Sequence, residues 1–564
     1  MNSRRVSAIL AVAVAIAVAV YFLLFREAYG PAVREGISTI DAEQIAQHMR
    51  KLADDDKEGR ETGSDGYLAA ADYVAQQFRE YGLEPAGDAG GYFQRVPFRR
   101  ADIVPEEGSL ALRSVRTEWV LTPYADYYLR PNLLRERVDV TASVVYVGYG
   151  VTAPEFNHDD YAGMDVRGKI ILIFRGAPSS LPHNERAYYS STRMKWQNAA
   201  ERGVVGILYA YNREDMAKRP WERSVRHARE PSMGWIDEEG QVRDTHPGIR
   251  LVARLSREGL EALLLGARKT AEELLDSIDA GAPDPFDRPI IVKARTTSRH
   301  AAIESPNVVA VLPGGDPQLK NEFVVISGHL DHVGIGEPVK GDALHNGAYD
   351  NASGIAVMLE MARVFRGLEE RPGRSLLFLA VTGEEKGLLG SDYFAHDPTV
   401  PIGSIVANVN LDMVMMLHPL RDVVAFGVEH SNLIRPLERA AQYMQVTVAP
   451  DPFPSEVIFV RSDQYSFVRR GVPSIFLVPG MESGDPAIDG LQSHMDWMAE
   501  YYHSPQDDMS QPFDFEAGAD FTRLNLLLTH GIASEAERPA WNPGDFFGER
   551  FGSDQTGTAI GSSP

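Results

Sequence analysis

The chain contains no cysteine. That absence excludes disulfides, thiolate metal ligands and cysteine nucleophiles together, and leaves His, Asp and Glu to hold any metal. Positive charge is also scarce. Lys and Arg number 56 against 79 Asp and Glu, a formal charge of −23 with a pI near 5.1. That is the wrong sign for a groove that follows a nucleic-acid backbone, so no nucleic-acid partner is expected. No Gly-x-Ser-x-Gly elbow stands at a strand end, which removes support for a serine hydrolase. Internal repeats are absent. Long apolar runs are limited to Val6–Phe25, preceded by Arg4 and Arg5 and ended by Arg26 and Glu27. As a helix that run spans about 30 Å, the thickness of a bilayer core. It reads as an uncleaved membrane anchor with its N-terminus in the cytoplasm and the bulk exported, on the periplasmic or extracellular face. Secretion after signal cleavage is the alternative.

What is present is globular. Of 564 residues, 44% are hydrophobic and 24% charged, enough apolar mass for a large core and for several domains. Residues 1–30 form the anchor or signal. Helical spacing of Ile45, Met49 and Leu52, then of Leu68, Ala71, Ala75 and Phe78, predicts two helices within 41–83. Residues 31–130 are assigned to the N-terminal part of the main domain and 131–295 to a β-rich insert. That insert has strands at Lys169–Phe174 and Val204–Ala210, a helix at Arg193–Arg202, and a charged loop over 212–250. From 296 to 536 the texture is α/β. Apolar strands at Phe323–Ser327, Ser375–Val381, Ser404–Asn410 and Ser474–Val478 alternate with amphipathic segments such as Gly354–Phe365. Continuous apolar strands between helices predict a mixed, mainly parallel central sheet covered on both faces. Residues 537–564, rich in Gly, Ser, Pro and Asp, read as a disordered tail.

The chemistry is expected where the strands stop, because ligands of open α/β sheets bind beyond the carboxyl ends of strands. Phe323–Ser327 runs into Gly328-His329-Leu330-Asp331-His332. Ser375–Val381 runs into Thr382-Gly383-Glu384-Glu385, and Ser404–Asn410 into Leu411-Asp412. Asp350-Asn351-Ala352-Ser353-Gly354 precedes a helix, and His503 follows further on. Alone, each piece has a plainer reading: a structural His, a solvated Glu pair, an Asx turn. Together they put His329, Asp350, Glu385, Asp412 and His503 in one crevice. Carboxylates crowded there repel unless a cation is present. Two imidazoles and three carboxylates suit two divalent metals, with an adjacent glutamate outside the ligand set to move protons.

These motifs, with Glu384-Glu385-Lys386-Gly387-Leu388-Leu389-Gly390-Ser391 and His503-Ser504-Pro505-Gln506-Asp507, resemble the co-catalytic zinc aminopeptidases of metallopeptidase family 28. The resemblance implies that fold and two zinc ions. One is held by His329 and Asp412, the other by Glu385 and His503, and Asp350 bridges them. It implies Glu384 as general base, Asp331 orienting the far ring nitrogen of His329, and a cis Asp350–Asn351 bond. The substrate implied is a peptide with a free N-terminus. Gly59-Arg60-Glu61-Thr62-Gly63-Ser64 resembles the family's first segment. Arg461-Ser462-Asp463-Gln464 resembles its Ser-Asp-His stretch, with Gln464 in place of His. Val147-Gly148-Tyr149-Gly150, Asp159-Asp160-Tyr161 and Gly168-Lys169-Ile170 resemble the protease-associated (PA) domain inserted in such enzymes. Rival readings are a dipeptide-cleaving carboxypeptidase, a single-zinc glutaminyl cyclase, and an inactive receptor-like binding protein. Oligomeric state is not legible.

Overall fold

The computed structural model describes residues 29–115 and 117–552. The apolar run Val6–Phe25 lies outside the described residues. Among the described ones, no helix is long and apolar enough to cross a membrane. The chain divides into two compact units. One comprises the residues up to Gln94, 306–452 and those from Ser462; the other comprises 95–305 and 453–461.

The first unit is built on a mixed sheet of strands β1 (Phe323–His329), β2 (Ser375–Val381), β3 (Ile405–Asn410), β4 (Asp422–Phe426) and β5 (Ser474–Pro479). The order β2-β1-β3-β5 is parallel throughout. Residues 308–312 add antiparallel to β2, and β4 adds antiparallel to β5. Every residue of β2 and β3 is buried, as expected for strands covered on both faces. Helices α1 (Asp65–Tyr81), α2 (Ser353–Gly367) and α3 (Phe515–Ser534) supply part of that cover. Ser64 caps α1 by accepting from Tyr67 N–H, and Gly82 ends it at φ 75°. Helix α2 buries more than one face: Ile355, Val357, Leu359, Met361 and Phe365 are all enclosed, because α1, α3 and helix Ala42–Leu52 pack around it.

The C-terminal segment corrects a sequence expectation. Residues 537–552 are folded, not a tail. Trp541 bridges to Ser431 and donates its indole N–H to Gly471 O at 2.8 Å. Phe547, on helix Phe546–Phe551, is fully buried. Four aromatics anchor a stretch whose average composition is polar.

The second unit holds its own sheet. Arg137–Tyr146, Ile170–Phe174, Gly206–Ala210 and Leu251–Leu255 run parallel. Residues 286–297 pair antiparallel with Arg137–Tyr146 on one side and, over 291–295, with Ser109–Arg113 on the other. Tyr127–Leu129 closes the opposite edge. The unit therefore begins at Arg95 rather than 131: strands Ser109–Arg113 and Tyr127–Leu129 find partners far along the chain. The stretch 212–250 is not all loop. It contains helices Arg213–Lys218 and Trp221–Ala228 and strand Ser232–Trp235, and Asn212 caps the first by accepting from Asp215 N–H.

Candidate metal centre

The crevice lies at the carboxyl ends of β1, β2 and β3. His329 ends β1, Glu384 and Glu385 follow β2, and Asp412 follows β3. Asp350 sits in the turn leading into α2, and the Asp350–Asn351 bond is cis. His503 follows helix Gly490–Glu500.

All five residues expected as ligands come together. The two oxygens of Asp350 face two imidazoles: Oδ1 is 3.2 Å from His329 Nε2 and Oδ2 is 3.1 Å from His503 Nε2. Asp412 Oδ1 is 3.2 Å from His329 Nε2, and Glu385 Oε2 is 3.3 Å from His503 Nε2. Donor atoms of His329, Asp350 and Asp412 lie within 4.8 Å of one another, spacing that fits one cation. So do those of His332, Asp350 and Glu385. The donor set is imidazole nitrogen and carboxylate oxygen, the chemistry zinc prefers when thiolates are absent.

His332 was missed by the sequence reading. It is fully buried, with Nδ1 2.9 Å from Glu385 Oε1. Its position three residues after His329 was the available signal. The role expected for Asp331 also needs correction. It is the backbone carbonyl of Asp331, not its carboxylate, that meets His329 Nδ1, at 2.9 Å. The carboxylate instead accepts from Glu384 N–H at 3.0 Å, Glu385 N–H at 3.3 Å and Thr62 Oγ1–H at 3.1 Å. It therefore fixes the Glu384-Glu385 turn. Gln464 is buried and accepts from Asn410 Nδ2 at 3.0 Å. Its neighbour Ser462 donates to Asp412 Oδ2 at 2.6 Å, leaving Oδ1 toward His329.

Other residues brace the loops. Asn351 donates to His329 O and Leu411 O and accepts from Gly354 and Met413 N–H, tying three loops with one side chain. Asp507 accepts from Tyr349 N–H at 2.9 Å and Asp350 N–H at 3.1 Å. Arg60 is fully buried and donates to four carbonyls, those of Leu52, Leu330, Asn346 and Gly347. Gly347 is required where it stands. At φ +62°, a Cβ would come within 2.2 Å of Asp350 O and 2.6 Å of the His332 ring.

The electrostatics are those of crowded, buried charge. Burial pulls the His329 imidazole down, but the Asp412 and Glu384 carboxylates and the bonds from Asp350 and Asp412 outweigh it and hold it well above its ordinary value. Burial pushes Glu384 well up, with Glu385, Asp463 and Asp412 adding to the push against His329. Burial acts on Asp350 the same way, yet His329 and His503 win and hold it well down. Two neighbouring glutamates are thus driven apart: Glu384 toward the proton-carrying form, and Glu385 held below its ordinary value by His503 and His332 despite burial.

Residues 307–528 match the family model described as peptidase family M28. Over 95 residues the chain is 40% identical to a protein of Pyricularia oryzae named probable zinc metalloprotease, covering 17% of this chain and 18% of that protein. Over 271 residues it is 25% identical to aminopeptidase YwaD of Bacillus subtilis, 47% of this chain and 44% of that one. Each match spans less than half of the curated relative. An aminopeptidase from Aneurinibacillus sp. strain AM-1 shares the fold, with a TM-score of 0.54 and 22% identity over 91% of this chain and 98% of that one. The fold is that of the Aneurinibacillus aminopeptidase, and the site is a cluster of imidazoles and carboxylates with metal-ligand spacing. Residues 307–528, less than half of the chain, are similar to peptidase family M28.

Proposed function

We propose that this protein is a di-zinc aminopeptidase that removes N-terminal residues from peptides, with Glu384 as general base. His329 and Asp412 would hold one zinc, Glu385 and His503 the other, and Asp350 both. The observation that carries this reading is the division of Asp350: its two oxygens face two separate imidazoles, at 3.2 and 3.1 Å. One carboxylate shared between two donor groups suits a pair of cations better than a single one.

Bound zinc supplies an acidified water and a polarised peptide carbonyl. The residues do the rest. Glu384, pushed up by burial, takes the proton from the attacking water and returns it to the leaving amine. Asp331 holds the Glu384 backbone, and so the base, in register with the crevice. The free α-amine of the substrate would be held at the cation site of Glu385 and His503, which makes the reading an aminopeptidase. With the apolar run Val6–Phe25 as anchor, the peptidase acts on the exported side of a membrane.

The test is metal analysis of the purified chain with a panel of amino-acid amides, with and without chelator. A free N-terminus is required, so a blocked peptide resists. Glu384→Gln keeps its metal and loses at least about a hundredfold in turnover. Asp350→Ala loses metal. Normal turnover in the first variant removes Glu384 from its role, and full metal content in the second removes the shared carboxylate.

A further inference from the structure

The second unit contains a cavity of about 670 Å³ whose charge is opposite to that of the chain. Seven basic side chains line it against four carboxylates, in a protein of net charge −23. The basic groups are unevenly matched. Arg175 has Asp215 at 3.1 Å, and Arg461 has Glu456 at 3.2 Å. Lys195 and Arg254 make no ion pair among the described residues. Lys195 is 1% exposed, and its Nζ donates to Phe174 O at 2.9 Å, which leaves two of its three donors over. Arg254 bonds the Tyr211 hydroxyl and lies over the Tyr211 and Tyr209 rings at 4.4 and 5.7 Å. Ser190, Ser191 and Thr192 bring hydroxyls to the same wall.

A buried ammonium without a carboxylate is costly unless it gives up its proton or meets an anion. Burial draws Lys195 down to about 7, with Arg175 adding to it against Asp160. Burial likewise draws Arg175 to about 10, with Arg219 and Arg461 repelling it. Such a cluster is held together at a cost that a multivalent anion would offset. Arginine forks and a lysine point charge are the groups that grip phosphate and carboxylate oxygens.

We propose that this cavity binds a small multivalent oxyanion, a phosphate or polycarboxylate, through Lys195, Arg254, Arg175 and Arg461. The site shares no residue with the metal centre and does not depend on the peptidase reading. No bond is made or broken in it.

The experiment is calorimetric titration of the full chain with its metals intact. Inorganic phosphate and citrate are added in separate arms, and sodium chloride at matched ionic strength is the control. One saturable site per chain is expected for at least one of the two, and the stronger arm identifies the source. Lys195→Met and Arg461→Gln should each weaken binding about tenfold, with metal content and amide hydrolysis unchanged. Arg461 is 37% exposed, so its variant folds even if Lys195→Met does not. Absence of saturable binding in both arms overturns the proposal. So does binding that survives Arg461→Gln but vanishes with chelator, because that anion sits in the metal crevice.

Discussion

Two arginines, one in each unit, gather several partners, and they do so in opposite ways. Arg60 in the first unit is completely buried and bonds four backbone carbonyls at 2.6 to 2.9 Å, with no carboxylate among the described residues in direct contact. Arg213 in the second unit keeps 38% of its side chain exposed and reaches three carboxylates, Glu272, Asp276 and Asp279. By count of opposite charges Arg213 is the better satisfied. By physics Arg60 matters more. Water competes for every bond Arg213 makes, and the ions are screened. The carbonyls around Arg60 have no water to fall back on. Arg60 is also near enough to Asp507, Asp350, Asp331 and Glu385 to be steadied by their charge, although burial still draws it to about 10.

The largest effect expected from that contrast is on Arg60. Arg60→Met strands four carbonyls and takes a positive charge from beside an acidic crevice. We expect a stability loss of about 3–5 kcal/mol, read from urea unfolding of the metal-free protein. Because Leu330 and Gly347 flank His329 and Asp350, zinc affinity should fall as well, by about 10–100-fold. A loss under about 1 kcal/mol, the scale of a single ordinary hydrogen bond, would show that the carbonyls find other donors and would end the comparison.

Next in size is a contrast between two histidines. His48, in the first unit, is 3% exposed and lies between the hydroxyls of Tyr73 at 2.7 Å and Tyr81 at 3.0 Å. Burial, with Arg363, draws it from 6.5 to about 4. A depressed value means that stability is fully present above the unfolded pKa near 6.5 and is lost as pH falls through about 4. The loss across that window is on the order of 3 kcal/mol. His158, in the second unit, is raised by its bond to Asp160 at 2.9 Å against the effect of burial. Its contribution is fully present at acid pH and fades as pH rises through the raised value. Acidification from pH 7 to 4 should therefore weaken the first unit through His48 and favour the second through His158. His48→Phe should flatten the acid limb of a stability-versus-pH curve, and His158→Phe should not. An unchanged acid limb in His48→Phe would assign that loss to other groups.

How much of this was legible in the sequence varies with range. β2 was read at its observed limits and α2 to within two residues, because runs such as Leu376–Val381 and Ile355–Leu359 declare themselves locally. The five expected ligand residues come together in one crevice, and four of them stand at a strand end or turn that can be read locally. What escaped depends on distant partners. His332 matters because Glu385 comes to meet it from another strand end. Asp331 was given to His329 when its carboxylate turns to the Glu384 and Glu385 amides. Strands Ser109–Arg113 and Tyr127–Leu129 pair with residues beyond 250, and nothing local marks such partners. Trp541 and Phe547 fasten a segment whose Gly, Pro and Asp content argues for disorder.

The smallest expected effect is on Arg213, and it is the sharper test of the comparison for that reason. Its three carboxylates hold its guanidinium strongly in the charged form, led by the bond it donates to Asp279, then those to Glu272 and Asp276. Read as stability, that network would make Arg213→Gln more damaging than Arg60→Met. We expect the reverse. The side chain is open to solvent, and the unfolded chain hydrates the same four ions, so little is lost on removing one. The urea midpoint should move by no more than the scatter of the measurement, and raising the salt concentration should erase any shift. Glu272 also bonds Arg257, which lies on the neighbouring helix and can take up the freed carboxylate. A large loss in Arg213→Gln that persists at high salt would mean that this cluster is shielded from water, and that the number of opposite charges, not burial, ranks the two arginines.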